Sequence, residues 1–543
     1  MIVKTTVFRR GISLSGVLLL ILLMLAGCKP GTGADSPGGE EPPADNELEV
    51  LELAGEDGAL TGELRITAFR GKNAVFEIPE RVNGKTVVEI GDESFRGSAL
   101  TGVTIPATVV RIGNYAFADT RLVKVSIPGS VIAIGNYAFA AVQPAEAAEG
   151  GAEDAAGAGS RTSELAELTL SSGLLTIGEG AFLNSKLTSV SIPGTVTSIG
   201  PSAFASAKEK GVLAELTCAE GLVRIGEGAF ANNSLKALAL PASLTGLGSG
   251  VFSDNQLTEL TLSGGLKTIP AEAFANNQIA ALSIRGAVET IGEGAFANNQ
   301  LVSLSVPGTV KTIGDNAFAK NKLASLDIAE TVSSIGAGAF EGNALTSVTL
   351  PRGIRNVSAS CFRNNGMQEL VIPENITVIR EGAFADNKLT VVNIPESVTA
   401  VGEEAFANNG MTNLNLSGGL RSIGSRAFAN NSLAAAVIPS RVESIGEGAF
   451  TGNKLETLTV DARNVGIDNR AFAGNALKTI RITANNRIVS GAFAGNPLYS
   501  VLEGKDRYTF MNDFFYRAYY TGRRAGGTYV FDGRYWVFRG SGE

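Results

Sequence analysis

The chain has 543 residues, with 45 Lys or Arg against 53 Asp or Glu and a formal charge of −8. It holds three cysteines and no histidine, which removes Ser-His-Asp and Cys-His nucleophile systems and every zinc pattern that uses histidine. The acidic balance argues against a nucleic-acid partner, which calls for a basic face.

Residues 1–27 read as an export signal. Lys4, Arg9 and Arg10 form a basic start, and Gly11 to Leu25 form an apolar run too short for a comfortable membrane span. The run ends in Leu25-Ala26-Gly27-Cys28, which resembles the bacterial lipobox. That resemblance implies cleavage after Gly27, acylation of Cys28, and a protein lipid-anchored in the bacterial cell envelope, at the outer membrane or cell surface. Each buried methylene contributes roughly 0.8 kcal/mol, so several acyl chains hold such a protein to a membrane durably. Residues 28–47, rich in Gly, Pro and acids, lack apolar side chains to nucleate a core and read as a lipidated flexible tether.

From residue 48 the chain repeats itself. Residues 48–95 read as an N-terminal cap and first repeat, and 96–497 as the body of the array. Aligning the Phe of each Ala-Phe step, from Phe95 to Phe493, gives about 18 units at an interval of 22. Extra residues fall just after Phe139 and Phe204, so that place is an exposed loop; the larger is a low-complexity insertion at 141–164. The unit reads L-x-x-L-x-I-P-x-x-V-x-x-I-G-x-x-A-F-x-x-N-x, filled by Leu301, Leu304, Val306, Pro307, Val310, Ile313, Gly314, Ala317, Phe318 and Asn321. The alternating apolar positions before the proline suit a short strand with one face inward, and proline ends its ladder. The Ile-Gly-x-x-Ala-Phe step suits one helical or 3₁₀ turn, with acids such as Glu293 and Asp315 at its positive end. One unit cannot bury its apolar face alone. The predicted fold is therefore a repeat solenoid with a parallel β face and short helical or 3₁₀ turns, spanning roughly 80 Å at about 4.8 Å per strand.

Asparagine stands three residues after the Phe in thirteen successive units, among them Asn255, Asn277, Asn299, Asn321 and Asn343. A side-chain amide there suits a structural ladder that pairs backbone groups left free at the turn, since each such group costs about 1–3 kcal/mol when buried unpaired. With these residues in place, the unit resembles the leucine-rich repeats of BspA-like, or Treponema-type, bacterial surface proteins over residues 60 to 497. The resemblance implies a leucine-rich repeat fold and adhesion to host matrix or other cells. The 22-residue period, with Asn where many relatives carry cysteine, departs from the family's usual unit.

Chemistry-bearing patterns are scarce. Cys218 and Cys361 replace core residues six repeats apart, beyond disulfide reach. Asn83-Gly84-Lys85-Thr86 hints at a phosphate loop, but Pro79 stands where its leading Gly is required, and a turn explains it better. The turn carboxylates form an exposed stripe of one sign, whereas acid–base catalysis needs carboxylates in different environments. No catalytic residue, metal ligand, cofactor or small-molecule substrate is implied, and the chain reads as no enzyme. The outward strand positions are small and polar (Thr169, Ser191, Thr261, Ser305), which suits a shallow contact with a protein or glycan macromolecule.

Residues 498–543 break the pattern with an aromatic-rich tail, in which 503–540 hold seven Lys or Arg against four acids. The segment Thr528 to Phe538 reads as two strands around Asp532-Gly533. Two readings stand: a β cap over the last unit, and a contact surface of Tyr516, Tyr519, Tyr520, Tyr535 and Trp536 with Arg523 and Arg524. For the whole chain the sequence supports an envelope-anchored, adhesin-like binding protein, with a scaffolding lipoprotein facing the periplasm as the alternative.

Overall fold

The computed structural model describes residues 48–55, 58–142, 163–206 and 211–496, together with the backbone of 527–531 and 536–538. The predicted signal, the tether, most of the insertion and most of the tail lie outside the described residues.

The 22-residue unit closes into one coil with two β walls. In the coil around Phe318, the first wall is the strand Ser303–Val306 and the second is the two-residue strand Thr312–Ile313. Pro307 separates them by accepting the Val310 amide in a tight turn, 3.0 Å. Leu301, Leu304, Val306, Val310, Ile313, Ala317 and Phe318 all point inward and are no more than 4 % exposed. Coils lie one on the next with their strands parallel and in register, Ser303 opposite Ser325 and Thr312 opposite Ser334. Each strand is too short to stand alone; its partners are the coils above and below.

At the centre runs a column of phenylalanine rings. From Phe95 to Phe493 successive centroids lie 4.8 to 5.7 Å apart, with planes within 23° of parallel. The insertions leave this column intact: Phe139 meets Phe182 at 5.3 Å and Phe204 meets Phe230 at 5.2 Å, both at 2°. The ring stack therefore continues across both positions where the unit is longer.

One expectation is corrected. Among the described residues the Ile-Gly-x-x-Ala-Phe step is neither α-helical nor 3₁₀ but a run of tight turns. Asn316, two residues before the Phe, and Lys320, two after it, adopt left-handed φ values of 54° and 55°. A right-handed helix cannot pass through such residues. The amides of Asn316, Phe318 and Lys320 instead point along the stack to Ala337, Ala339 and Glu341 carbonyls, at 2.7–2.9 Å. With no helix there is no dipole for the acids to meet. Asp315 instead joins coils, its Oδ1 accepting the Ala337 amide of the next coil at 2.7 Å.

The second wall depends on close backbone approach. A Cβ placed on Gly314 would lie 2.7 Å from Glu293 N, so glycine follows Ile wherever coils are tightest. The Gly314 amide donates to the Ile291 carbonyl of the preceding coil, 2.8 Å. This wall is one sheet from the Leu48–Ala54 strand to Gly246–Leu247, then a sheet of four strands and one of seven. Both breaks have a local cause. At the first, Pro270 replaces the glycine and has no amide hydrogen to donate. At the second, Ser358 replaces it, and its Oγ donates to the Ile335 carbonyl at 2.5 Å.

Antiparallel pairs occur near both ends of the array. Leu48–Ala54 and Leu60–Phe69 form an antiparallel hairpin on the second wall, and Phe69 lays its ring on Phe95 at 5.0 Å. At the other end, Gly527–Phe531 pairs antiparallel with Thr479–Ile482 on the first wall, followed by Trp536–Phe538.

Three substitutions test this packing by chemical denaturation. Phe318→Ala should lower stability by about 3–5 kcal/mol, because the ring is fully enclosed between two others. Gly314→Ala should cost about 1–3 kcal/mol, whereas Gly308→Ala, whose nearest neighbour would be Thr331 Oγ1 at 3.6 Å, should leave the midpoint unchanged.

Candidate interaction surfaces

The asparagine column is inside the molecule, at the end of each Phe turn. Asn321 Nδ2 donates to the Phe318 carbonyl of its own coil at 3.2 Å and to the Phe296 carbonyl of the coil before at 2.9 Å. Its Oδ1 accepts the Leu301 amide at 3.1 Å. Asn255, Asn277 and Asn299 repeat this pattern, and so does the less buried Asn343, on Phe carbonyls at 2.9–3.2 Å. The amide hydrogens of these side chains are thereby committed to backbone carbonyls. In earlier coils the position is filled differently: Thr120 Oγ1 donates to the Phe117 carbonyl at 2.8 Å, and buried Ser98 Oγ has no partner.

The turn carboxylates do not make a stripe of one sign. Arg426 meets Glu403 at 3.1 Å and Glu404 at 2.8 Å, and Arg363 meets Asp386 at 3.0 Å, each across a coil boundary. These pairs are half-exposed and contribute at most about 1 kcal/mol each. Among the described residues no three His, Cys, Asp or Glu side chains gather as a metal site. Asn83 and Gly84 take φ values of 51° and 77° in a hairpin turn between Arg81–Val82 and Lys85–Ile90, and Lys85 pairs with Glu52. This segment is therefore a structural turn.

Neither described cysteine is poised to react. Burial alone raises the Cys218 thiol to about 12 and pushes Cys361, fully enclosed, up as well. Of the tail residues singled out in the sequence, Tyr516, Tyr519, Tyr520, Arg523, Arg524 and Tyr535 lie outside the described residues, as does Cys28. Trp536 is placed by its backbone only, at the start of the last strand.

The outward surfaces are two rows of strand positions. On the first wall Thr169, Ser191, Thr261 and Ser305 are exposed, followed later by Asp327, Asn393, Asn415 and Arg481. Ser305 Oγ donates to Asp327 Oδ2 at 3.2 Å, so neighbouring coils couple along this row. On the second wall an open groove of about 600 Å³ runs over Ala400, Ser422, Gly424 and Ser444, with Arg380 and Glu403 among its charged residues. Two features escape a reading confined to the strand positions before the proline. Tyr115 and Tyr137 stack at 5.1 Å with Arg96 over the first ring at 5.2 Å, and an apolar column lies beside them. The signal for both is present in the 22-residue alignment, two residues before the Phe and one residue after the Val.

A family model for the BspA type leucine-rich repeat region matches in six copies, over residues 72–149, 88–210, 207–324, 311–434 and 399–520. The chain belongs to the BspA-type leucine-rich repeat family. A leucine-rich repeat protein from Bacteroides ovatus shares the fold at 23 % identity and a TM-score of 0.54, over 73 % of this chain and 94 % of that one. Also similar are a leucine-rich cell surface protein from Faecalibacterium prausnitzii, at 26 % identity and a TM-score of 0.39, and the pneumococcal vaccine antigen PcpA, at 17 % and 0.35. They cover 71 % and 82 % of this chain, and 96 % and 97 % of their own. No curated protein sequence matches the chain.

In this BspA-type coil, Asn321→Ala should cost on the order of 2–3 kcal/mol by denaturant titration, because a buried amide and two carbonyls lose their partner together. A thiol reagent at pH 7 should leave Cys218 and Cys361 unlabelled in the native chain and label both after unfolding. The sign follows from the raised pKa: at neutral pH each thiol stays protonated, and the thiolate is the reactive form.

Proposed function

We propose that this BspA-type protein is a lipid-anchored envelope protein whose activity is binding. Cys28 carries the anchor, and the outward rows of the coils make multipoint contact with a protein or glycan on another cell or matrix. The observation that carries the reading is the division of labour within each coil. Core, backbone and Asn groups are committed to holding neighbours together, so the outward positions are free to differ from coil to coil, as Ser305, Asp327, Asn393 and Arg481 do. Many small polar contacts in a fixed register suit a large partner, whose affinity sums over the array. The alternating polar groups and shallow groove suit a small substrate less, since such sites are concave and enclose their ligand. The aromatic and basic residues of the tail, Tyr516 to Trp536, supply the kind of anchors in which binding hot spots are rich.

Two experiments test this. Cys28→Ser should abolish incorporation of labelled palmitate and release the protein from the membrane fraction. Protease added to intact cells should strip the solenoid from the surface and with it the saturable attachment of the cells to matrix or partner cells. Protection of the whole chain until the envelope is opened would support the periplasmic scaffold instead.

A further inference from the structure

Two rows of backbone amides tie each coil to the one before it along the second wall. One row belongs to a column that starts as an exposed apolar ridge, with Val110, Ile132, Leu175 and Val223, and turns charged at Lys267 and Glu289. Its amides donate to the same column of the preceding coil at 2.7–3.0 Å, from Val110 to Glu443. The other row is the glycine column, whose amides from Gly113 to Asp468 donate to the preceding Ile or Val carbonyl, also at 2.7–3.0 Å. Among the described residues, two coil boundaries between these limits break both rows at once. Lys267 and Pro270 give no backbone bond to the coil before them, and neither do Arg355 and Ser358.

The first wall is open at the same two places. Residues 237–240 and 347–350 fill the first-wall position without forming strands. Glu259–Leu262 therefore pairs only with the coil after it, and Ser325–Ile328 only with the coil before. The first wall is interrupted elsewhere too, for example between Asn413–Leu416 and Ala435–Ile438, but there the second wall runs through unbroken. What crosses the first double break is the Phe edge with the asparagine beside it. Gly250, Phe252 and Asp254 amides donate to Ala271, Ala273 and Ala275 carbonyls at 2.9–3.0 Å, and one long bond of 3.3 Å joins the Thr258 amide to Lys236. Across the second, Gly338, Phe340 and Gly342 amides reach Ala359, Cys361 and Arg363 carbonyls at 2.8–3.0 Å. Side chains add to these, Ser358 Oγ on the Ile335 carbonyl and Glu330 accepting the Arg352 amide at 2.7 Å.

We propose that these two boundaries are joints. They divide the array into three stiff blocks, carrying Phe95 to Phe252, Phe274 to Phe340 and Phe362 to Phe493, hinged along their Phe edges. Each coil of a stacked array is held by its neighbours, so the boundary stripped of its ladder on both walls is the compliant one. Bending there opens the proline corner, where the two walls meet, while the rings stay stacked. It re-aims the outward rows of one block against the next, so the surface changes curvature block by block. The joints rest on backbone bonds alone and do not depend on the binding reading.

Distances between paired spin labels test this on the full-length chain in mild detergent. Cys218→Val and Cys361→Ala remove the buried thiols, and a chain without introduced cysteines sets the background. The pairs Thr217→Cys with Ser305→Cys, Ser305→Cys with Asn393→Cys, and Asn393→Cys with Arg481→Cys all sit on exposed first-wall positions four coils, or roughly 20 Å, apart. The first two pairs each span a joint and should give distributions at least twice as wide as the third, which crosses an interrupted first wall over an intact second wall. Pro270→Gly should narrow the first pair, and Ser358→Gly the second, to the width of the third. Three equal widths overturn the proposal, and so do widths that the glycine variants leave unchanged. In the unaltered chain the Lys267 and Arg355 amides should exchange hydrogen at least tenfold faster than those of Glu289 and Thr377; equal protection of the four would overturn it as well.

Discussion

The structure depends on one loan: the turn that carries each phenylalanine gives backbone amides to the coil that follows. The amide of every Phe from Phe95 to Phe472 is bonded to a carbonyl one coil further on. A helix would have satisfied those amides within its own turn and made the coil self-sufficient. Left-handed residues on either side of the Phe forbid that, so no coil is complete until its neighbour is present. The ring column, the asparagine ladder and the glycine stripe all follow from this dependence. Each brings backbone to backbone closely enough for the bond, or pairs the groups that remain.

Because the interior does the holding, the exterior is available for variation. The first wall is largely polar, with Val371 and Val437 exposed among its outward residues, and changes along the stack, while the second begins apolar and becomes charged from Lys267 onward. Pro270 and Ser358 interrupt the lateral sheet without disturbing the ring column, where Phe252 meets Phe274 at 5.7 Å and Phe340 meets Phe362 at 5.6 Å. Sheet pairing and core packing are therefore separable in this fold, and loss of one backbone bond is tolerated while the rings stay stacked. The solenoid thus accepts surface change coil by coil, which suits a binding array.

Much of the architecture is legible in the repeat. Inward positions, strand limits, the proline stop and the placement of both insertions follow from a 22-residue period read against the demands of a core. The turn is not, because an inward Ala-Phe pair preceded by two variable residues fits a helical turn and a left-handed turn alike. The distinguishing signal is the residue two before the Phe, which is glycine in Gly228, Gly250, Gly294 and Gly338, a choice that a helix interior disfavours and a positive φ favours. Asp315 suits a helix dipole on sequence grounds, whereas in the fold it accepts one amide of the next coil. The apolar ridge is hidden in the linear sequence because its members stand among polar neighbours. Only the sheet aligns Ile132 with Leu175 across the insertion.

Amide hydrogen exchange, resolved residue by residue in the native protein, tests the loan directly. Slow exchange of the Phe amides in every coil through Phe472, matching the strand amides, is the predicted result. Phe amides exchanging at the rate of an open peptide while the strands stay protected would contradict the account, since the coils would then be holding together by some other bond.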